Sequence, residues 1–414
     1  MKTLSLFRNL MLLSAVSILP FVPVACEGLG QNEGNEEFTP IVLTKSQQAV
    51  AARGDAFALD FLKASTNVFP EKNLFLSPMS VSMLSCMLAC GAEGETYSEI
   101  VKALGMGDFT IDQVNDCYTT LVASLLKADK SVSLSLANSM WAANGLNVFS
   151  SFKKQMTSVY QADTYEVDFS KESTIKTIND WCSQKTSGLV PNMFETISPD
   201  VRMILINALY FKGNWKVQFP VDQTAQGTFT SLSEQPVTVN YMSACSEAFT
   251  GYCDAEVSVV RMPYGNGAFE MEAIMPAGKD FKAFLKGLTL EKLARWDATT
   301  TKQIALTFPK FEASFDTEDH LIPIMQQLGV NKAFTADAQF GKISDENLYV
   351  SEMRQKAFVS VNEAGTEAAA VTIADLAKNG SPDGTVSMTF NRPFVYLIRE
   401  KSTGVILFAG LKVK

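Results

Sequence analysis

The chain has 414 residues, of which 47% are hydrophobic and 19% are charged, with 24 glycines and 15 prolines. This composition predicts a globular protein with a large buried core and excludes a disordered chain. Acidic residues number 44 against 35 basic ones, and the net charge of −9 argues against nucleic acid as a partner, because phosphates require a basic surface.

Residues 1–25 have the pattern of an export signal. Lys2 and Arg8 supply a positive start, and an apolar run extends over residues 10–25. Two prolines interrupt this run, which is also short for a membrane-spanning helix. We therefore predict a signal peptide that is cleaved rather than retained as an anchor.

The stretch PFVPVAC, residues 20–26, resembles the lipobox of bacterial lipoproteins, in which the cysteine is lipidated and becomes the new N-terminus. This resemblance implies Cys26 as a lipidation site, although Pro23 stands where a lipobox usually has leucine. The alternative is an ordinary secretory signal followed by an unpaired cysteine. A lipidated protein is expected at the outer membrane or surface of a bacterium, and an unlipidated one in the periplasm or the medium.

A segment rich in glycine, asparagine and glutamate comes next, EGLGQNEGNEEFTP over residues 27–40. It contains little that can pack in a core, so we predict a flexible tether over residues 26–43. A lipid on Cys26 would hold the protein near a membrane surface without spanning the bilayer. That lipid is the only membrane attachment that the sequence predicts.

Two helices are predicted next along the chain. Over residues 44–68, apolar side chains such as Phe57 and Phe61 recur at helical spacing. Residues 75–92 include a Ser-Pro pair that is typical of a helix start. The continuous apolar character after that pair predicts a buried helix.

None of the seven cysteines forms a CxxC pair, so the sequence predicts neither a zinc ribbon nor a thioredoxin-like site, and no metal. Cys86 and Cys90 are four residues apart in the second helix, where thiols are more often core side chains than metal ligands. Cys245 and Cys253 are candidates for a disulfide in an oxidising compartment, and their spacing leaves that pairing open.

After about Ser131, strand-like segments alternate with helical ones. The strand-like segments, typical of half-buried or fully buried strands, are SVSLSLANSMW, VRMILINALYFKGNW, AFEMEAIMPAG and QIALTFPKF. Helices are predicted over residues 175–185 and 281–293. No Pro-rich or Gly-rich linker occurs after Pro40, so residues 44–414 are predicted to form one α+β domain.

His320 is the sole histidine, and it lies beside Asp316, Glu318 and Asp319. No GxSxG, GxxxxGKS/T, HExxH or GxGxxG motif occurs, so the sequence supports neither a hydrolase nor a nucleotide-dependent or zinc enzyme. We therefore expect an exposed polar histidine, no catalytic residue and no cofactor.

The segment GTEAAAVTIADLAKNGSPDG, residues 365–384, is small and apolar at its start and polar at its end. As a strand, its even-numbered face carries no charge from residue 366 to residue 376. The two acidic residues between positions 366 and 376, Glu367 and Asp375, fall on the odd-numbered face. The even face suits a strand that enters an existing sheet against its core. The alternative is an ordinary helix, since short alanine runs also favour helices.

Six motifs that occur in a fixed order favour the interpretation of residues 365–384 as an inserting strand over an ordinary helix. The stretch NEAGTEAAAVT resembles the hinge of a serpin reactive-centre loop, and the resemblance extends from about Thr44 to the C-terminus. The other motifs, in the order of the family, are FLSPMSV, NALYFKGNW, LTFPKF, NRPFVYLI and ILFAG. The chain is thus identified as a member of the serpin family. This resemblance implies an α+β fold of three β-sheets and about nine helices, with an exposed reactive-centre loop.

The resemblance implies a suicide-type inhibitor of serine proteases. In the family, a protease cleaves the loop and forms an acyl-enzyme, and the freed hinge inserts into the central sheet as a new strand, which traps the protease. Small hinge residues are typical of inhibitory members, whereas bulky, charged or proline residues are typical of the others. The alternative within the family is a non-inhibitory binding or chaperone protein.

The resemblance also assigns site residues. The hinge residues are Glu363, Gly365, Thr366, Glu367, Ala368, Ala369, Ala370 and Val371. The residues expected near the point where the sheet opens are Ser77, Ser80, Asn207, Trp215 and Gln355. Gln355 stands where many members have histidine, and its amide can still donate and accept hydrogen bonds. The reactive-bond candidates are Leu376, Ala377, Lys378, Asn379 and Gly380.

These candidates imply the classes of target protease. Lys378 is favoured and suits trypsin-like proteases, whereas Leu376 or Ala377 suits chymotrypsin-like or elastase-like ones. Papain-like cysteine proteases are a further class that the resemblance allows. A monomer is the expected state of the protein.

Overall fold

The computed structural model describes residues 38–298, 303–366 and 385–414. The nine α-helices within this part of the chain are α1 (Lys45–Val68), α2 (Pro78–Gly91), α3 (Gly94–Ala103), α4 (Ile111–Leu125), α5 (Ser150–Ser158), α6 (Glu172–Lys185), α7 (Phe281–Lys286), α8 (Leu290–Asp297) and α9 (Leu321–Gln327). The strands are β1 (Leu74–Leu76), β2 (Ser133–Ala143), β3 (Asp163–Val167), β4 (Met203–Asn214), β5 (Ala225–Thr230), β6 (Pro236–Ser246), β7 (Thr250–Cys253), β8 (Val257–Pro263), β9 (Phe269–Pro276), β10 (Gln303–Pro309), β11 (Phe311–Asp316), β12 (Lys356–Val361), β13 (Gly365–Thr366), β14 (Thr385–Thr389), β15 (Phe394–Glu400) and β16 (Ile406–Lys412).

The helices α1 and α2 confirm the first two helix predictions. Thr44 caps α1 and shares a capping box with Gln47, in which each side chain bonds to the backbone N–H of the other residue. Ser77 caps α2 by accepting a hydrogen bond from the backbone N–H of Ser80, and Pro78 opens the helix. Almost all of α2 is buried, in agreement with its apolar sequence.

The helix predicted over residues 281–293 is wrong as a single element. The helix α7 ends at Lys286, and α8 begins after Thr289, which caps it by accepting a hydrogen bond from the N–H of Lys292. Gly287 lies between the two helices. Glycine is costly inside a helix and threonine favours a cap, so the chain starts a new helix here instead of continuing the old one.

The strands form three sheets that contain all four predicted strand segments. The large sheet has the order β11-β12-β13-β4-β2-β3, the second sheet β1-β16-β15-β9-β8-β7, and the third sheet β14-β10-β6-β5. Every residue of β9, β15 and β16 is buried, and most of their side chains are apolar. The buried charges of Glu270 and Glu272 in β9 are paired with Arg399 of β15. The strands β4 and β2 pair over ten residue pairs without a bulge.

The chain already packs against the protein before α1. Leu43 is buried, and Phe38 and Ile41 contact the main hydrophobic core. The N–H of Ile41 donates a hydrogen bond of 2.8 Å to Ser402 Oγ in the turn between β15 and β16. Residues 26–37 of the predicted tether lie outside the described residues, so the tether and its bounds stay a prediction.

Each of the six cysteines in the described residues has a free thiol. Cys86 and Cys90 are buried in α2, as predicted for core residues, and burial raises the pKa of both thiols. Cys245 and Cys253 are exposed and unpaired, so the disulfide that their spacing left open is not formed. Their strands belong to different sheets, since β6 lies in the third sheet and β7 in the second.

Within residues 38–298, 303–366 and 385–414, no helix combines the length and the apolar character needed to span a bilayer. The predicted signal peptide and Cys26 lie outside the described residues. Their roles stay predictions.

Candidate reactive-loop hinge and insertion slot

The large sheet holds two residues of the predicted hinge between its central strands. Gly365 and Thr366 form β13, which lies between β12 and β4. Thr366 pairs with Val361 of β12 on one side and with Gly213 of β4 on the other, antiparallel in both cases. Among the described residues, β12 and β4 are joined only through β13. We call the space between β12 and β4 the insertion slot.

Gly365 stands at a position that only glycine can occupy. Its φ of +155° is rare for residues with a side chain. A Cβ atom there would collide with the carbonyl oxygen of Gly213 and would lie 2.6 Å from the Cα atom of Asn214. The hinge can approach β4 this closely because residue 365 lacks a side chain.

Thr366 is buried, and its hydroxyl group lies 2.6 Å from the hydroxyl group of Tyr264. Tyr264 is also buried and stacks on Trp215, with 4.3 Å between the ring centroids. Burial raises the pKa of Tyr264, so its phenol keeps its proton at neutral pH. The first even-face residue of the predicted insertion segment therefore points into the core.

Trp215 and Asn362 hold the turn that precedes β13. Trp215 Nε1 donates a hydrogen bond of 2.9 Å to the carbonyl oxygen of Asn362, and its backbone N–H donates one of 2.8 Å to the carbonyl oxygen of Ala364. Asn362 Oδ1 accepts hydrogen bonds from the backbone N–H groups of Ala364 and Gly365. Trp215, which the resemblance places near the opening of the sheet, thus fixes the turn that leads into the slot.

Glu363 anchors the same turn through its carboxylate. The carboxylate accepts hydrogen bonds of 2.9 Å from Lys310 Nζ and from Thr224 Oγ1. Burial raises the pKa of Glu363, but bonds from Lys310, from its own backbone and from Thr224 outweigh burial, and the pKa lies below its usual value. The carboxylate is therefore ionised at neutral pH and binds the hinge to two neighbouring segments.

Gln355 forms a complete hydrogen-bond network at the position where many serpins have histidine. Its Oε1 accepts a bond of 3.0 Å from the N–H of Ser77, and its Nε2 donates one of 2.8 Å to the carbonyl oxygen of Ser77. Its backbone N–H donates to Thr317 Oγ1 at 2.8 Å. The buried amide thus has both a donor and an acceptor bond and joins the segment before β12 to the start of α2.

Ser80 belongs to this network, whereas Asn207 belongs to a neighbouring one. Ser80 Oγ lies 3.1 Å from Ser77 Oγ. Asn207 Nδ2 donates a hydrogen bond of 2.7 Å to Asn138 Oδ1 across β4 and β2. Asn207 nevertheless lines the same cavity as Ser77, Ser80 and Gln355. The structure therefore brings the predicted polar residues to one place in two separate networks.

That cavity has a volume of about 290 Å³ and borders the insertion slot. One wall is formed by residues 203–209 of β4, and the other by residues 347–357, which lead into β12. The cavity thus runs along the edges of the two strands between which β13 begins.

The other predicted site residues lie outside the described residues. They are the hinge residues Glu367, Ala368, Ala369, Ala370 and Val371 and the reactive-bond candidates Leu376, Ala377, Lys378, Asn379 and Gly380. Their roles stay predictions. His320 is described, and its side chain is 43% exposed with Nδ1 3.0 Å from Asp319 Oδ1, as predicted for a polar surface histidine.

Sequence reasoning missed three residues that contact the hinge, namely Tyr264, Lys310 and Thr224. Lys310 lies within the quoted motif LTFPKF, so a sequence signal for it was present. Tyr264 and Thr224 lie in connections between strands, where no periodic pattern marks a residue that packs against a distant part of the chain.

The fold and the hinge define a class of protein. In the large sheet, Gly365 and Thr366 already separate the central strands β12 and β4. Such a sheet can admit a further strand between these two. The comparisons with known proteins agree with this class. Residues 52–414 match the family described as serpin, or serine protease inhibitor, and the chain belongs to the serpin family. The three sheets and nine helices of the described residues are those of the serpin fold.

Relatives cover nearly the whole packed chain. Iripin-2 of Ixodes ricinus is 31% identical over 362 residues, which are 86% of this chain and 90% of the relative. Leukocyte elastase inhibitor of Homo sapiens is 30% identical over 380 residues, 88% of this chain and 98% of the relative. A member named as an elastase inhibitor thus matches this chain along most of its length.

Two solved structures illustrate the range of the fold. The native thermophilic serpin tengpin superposes with a TM-score of 0.82 at 27% identity, covering 91% of this chain and 97% of tengpin. Human thyroxine-binding globulin in complex with its ligand gives a TM-score of 0.79 at 26% identity, with coverage of 89% and 99%. The fold therefore occurs in a protein named for thyroxine binding as well as in one named for elastase inhibition.

Proposed function

We propose that this protein is a suicide-type inhibitor of serine proteases, with papain-like cysteine proteases as a second class of target. The observation that carries the proposal is the position of Gly365 and Thr366 between β12 and β4. A loop cut beyond these residues can continue to insert from an end that is already seated. Such insertion would carry the attached protease along the sheet.

The chemistry is an interrupted acyl transfer. The nucleophilic oxygen or sulfur of the protease attacks the carbonyl carbon before the reactive bond, an acyl-enzyme forms, and the C-terminal part leaves with a new amine. Trapping requires that insertion is faster than the hydrolysis of that acyl-enzyme. This chain contributes no catalytic group to the reaction, which suits a family of inhibitors rather than enzymes.

The register of β13 supports a definite extent of insertion. If the pairing of Thr366 with Gly213 continues without a bulge, Leu376 comes to lie opposite Met203, the first residue of β4. A cut after residue 376 or later would free enough chain to cover β4 completely. All five reactive-bond candidates satisfy this condition.

The same register assigns a face to each inserted side chain. Directly opposite residues of an antiparallel pair point to the same side, so Thr366 and Gly213 share a face with Leu209 and Leu205. Both leucines pack against the main core. The small, uncharged even-face side chains of the segment would therefore meet this core, as the sequence predicts.

Insertion releases enough free energy to deform a partner. About 12 to 14 inserted residues, each adding a hydrogen bond worth about 0.5 to 1.5 kcal/mol net, contribute on the order of 10 kcal/mol before side-chain packing. This is comparable to the stability of a whole domain. The native protein is accordingly metastable.

A second candidate function is ligand binding without inhibition. The similarity in fold to thyroxine-binding globulin is the observation that favours it. The two functions differ in the effect of loop cleavage, because an inserting loop raises thermal stability strongly and a non-inserting loop does not. The small even face of the segment favours the inhibitor.

We also propose that the protein is an exported, monomeric lipoprotein of bacterial type. The signal pattern of residues 1–25 and the lipobox-like stretch before Cys26 support this location. The variant Cys26→Ala should move the protein from the membrane fraction to the soluble fraction. An unchanged membrane fraction would reject the lipid anchor.

Incubation with trypsin, chymotrypsin, pancreatic elastase and neutrophil elastase tests the inhibitor. Denaturing gels should show a complex with the summed mass of both proteins, and the mass of the released C-terminal peptide should place the reactive bond among residues 376–380. Cleavage by all four proteases without a complex and without a gain in thermal stability would reject the inhibitor and favour the second candidate.

A further inference from the structure

An ion pair joins the two walls of the insertion slot at the end farthest from β13. Arg202 directly precedes β4, and Glu346 lies in the segment that leads into β12. The guanidinium of Arg202 donates hydrogen bonds of 2.7 and 2.6 Å to the two carboxylate oxygens of Glu346. Two parallel bonds of this kind are stronger than neutral hydrogen bonds and fix the relative orientation of both groups.

Each residue of this pair is anchored to its own wall. The carbonyl oxygen of Arg202 accepts a hydrogen bond of 2.9 Å from the N–H of Ala143 at the end of β2. The N–H of Glu346 donates a hydrogen bond of 3.3 Å to Oγ of Ser344, which is buried. The pair therefore connects two parts of the fold whose backbones are held independently of each other.

The pair is charged and partly exposed. The hydrogen bonds between the two side chains raise the pKa of Arg202 and lower the pKa of Glu346, so both groups are ionised at neutral pH. The side chains of Arg202 and Glu346 are 37% and 42% exposed. Solvent therefore weakens their attraction, and the two groups can separate without leaving a charge buried in the protein.

Between β13 and this pair, the two walls enclose the cavity beside the slot. Within residues 38–298, 303–366 and 385–414, β12 and β4 form no strand pairing with each other. A strand that fills the space between them adds one interstrand spacing of about 4.8 Å. This displacement exceeds the length of a hydrogen bond, so the bidentate contact is lost when an inserting strand reaches the start of β4.

We propose that Arg202 and Glu346 form a clasp that holds the far end of the slot closed in the native protein and has to open for complete insertion. The proposal rests on the proposed function, since it concerns the regulation of the same insertion. The clasp stabilises the native state and is absent from the inserted state, so it raises the barrier between the two. It acts on the walls of the sheet and leaves the recognition of the protease unchanged.

A comparison of the native protein with the loop-cleaved protein tests the clasp. Glu346→Gln keeps the shape of the side chain and removes its charge. We expect it to lower the melting temperature of the native full-length protein by about 1 to 2 °C and to leave that of the cleaved protein unchanged, because only the native state contains the pair. Guanidinium at one fixed concentration brings both transitions into the measurable range. An equal loss in both forms, or no loss in the native form, would overturn the clasp.

A charge exchange distinguishes the pair from a general effect of charge. We expect Arg202→Glu alone and Glu346→Arg alone to speed the slow insertion of the uncut loop about two- to fivefold, and the double variant to return the rate to within about twofold of the wild type. The rate is followed as the gain in melting temperature during incubation at one elevated temperature, and mass spectrometry verifies that the chain stays uncut. A double variant as fast as the faster single variant, or single variants without acceleration, would overturn the proposal.

Glu166→Gln is the matched control. It breaks an exposed ion pair of 3.2 Å with Lys153, which joins α5 to the edge strand β3 and does not cross the slot. It should leave the rate of insertion unchanged, and an acceleration equal to that of Glu346→Gln would assign the effect to any lost surface pair. If the cleaved wild type gains no thermal stability, the proposed function itself fails. A cleaved wild type that gains stability, with an insertion rate that is insensitive to Glu346→Gln, overturns only the clasp.

Discussion

The hydroxyl groups of Tyr264 and Thr366 lie 2.6 Å apart and join the end of a strand of the second sheet to a buried residue of the predicted hinge. Tyr264 comes directly after β8, and its ring stacks on Trp215, which in turn holds the turn before β13. The position of the hinge thus depends on contacts among Tyr264, Trp215 and the turn that leads into β13. Each of these contacts can be removed separately.

Tyr264→Phe removes the phenol oxygen and keeps the stacked ring. The buried hydroxyl of Thr366 then lacks its partner, and we expect the free energy of unfolding to fall by about 1 to 3 kcal/mol. Chemical denaturation measures this change. Tyr252→Phe, in which an exposed hydroxyl bonded to Asp254 is lost, should change stability by less than about 0.5 kcal/mol. Equal effects of the two variants would contradict the structural role of Tyr264.

Gly365→Ala places a methyl group against the backbone of β4. Because backbone atoms cannot move aside cheaply, we expect the hinge to leave the slot and the complex with protease to be reduced at least tenfold, which corresponds to about 1.4 kcal/mol or more in the insertion step. Gly145→Ala is the control, since Gly145 also has a positive φ but open space around it. Normal trapping by Gly365→Ala would show that close approach at this residue is not needed.

Gln355→Ala removes the amide that bonds both the N–H and the carbonyl oxygen of Ser77. The buried N–H of Ser77 loses its partner, and the carbonyl oxygen of Ser77 keeps only the bond from the N–H of Val81, so we expect the native protein to be destabilised by about 1 to 3 kcal/mol. Gln355→His, the residue type of many serpins, should restore part of this stability, because imidazole can replace one of the two bonds. Thermal melting of the three proteins provides the comparison, and identical melting curves would show that the network contributes nothing.

Glu363→Gln should weaken the hinge only where the carboxylate is ionised. The pKa of Glu363 is below its usual value, so its contribution to stability is present above about pH 4 to 5 and is lost as the pH falls through the folded pKa. We expect a loss of about 1 to 2 kcal/mol at pH 7 and little difference at pH 3. Glu166→Gln, which breaks an exposed pair with Lys153, is the control. A difference that is independent of pH would exclude the ionised carboxylate as its cause.

Asp55 is expected to make the free energy of unfolding depend on pH in the sense opposite to Glu363. Burial raises its pKa to about 7, against the lowering effects of a hydrogen bond from the N–H of Ile406 and of the charge of Arg399. In the unfolded chain the pKa is near 4, so the folded protein binds an extra proton between about pH 4 and 7, and stability falls as the pH rises through this window.

Asp55→Asn keeps an acceptor for Ile406 and removes the charge. We expect the variant to be more stable than the wild type by up to about 4 kcal/mol at pH 8 and nearly equal to it at pH 4. Denaturant titrations at the two pH values measure the difference. Asp60→Asn changes an exposed acid of the same helix and should have no such effect. A variant that is less stable at pH 8 would show that ionised Asp55 is favourable in the fold.

Local chemistry explains why much of the fold could be predicted. The Ser-Pro pair of α2 and the helical spacing of α1 act through neighbouring residues, and the structure confirms both helices. The same local view joined α7 and α8 into one helix, because the apolar spacing continues across Gly287 while the cap at Thr289 starts a new one. The sequence could not decide whether Cys245 and Cys253 form a disulfide for a similar reason, since proximity in sequence does not place two strands in one sheet.

The sequence by itself determined the family, the small even face of the insertion segment and the residues that begin its hinge, because these depend on residue types in a fixed order. Only the tertiary structure decided which distant residues fix the hinge and the strands around it in place. Gln355 bonds to Ser77, Tyr264 to Thr366 and Arg202 to Glu346 across wide gaps in the chain. Such contacts depend on how the sheets and helices pack and on the register of β13, and the packing of distant segments leaves no local pattern in either partner.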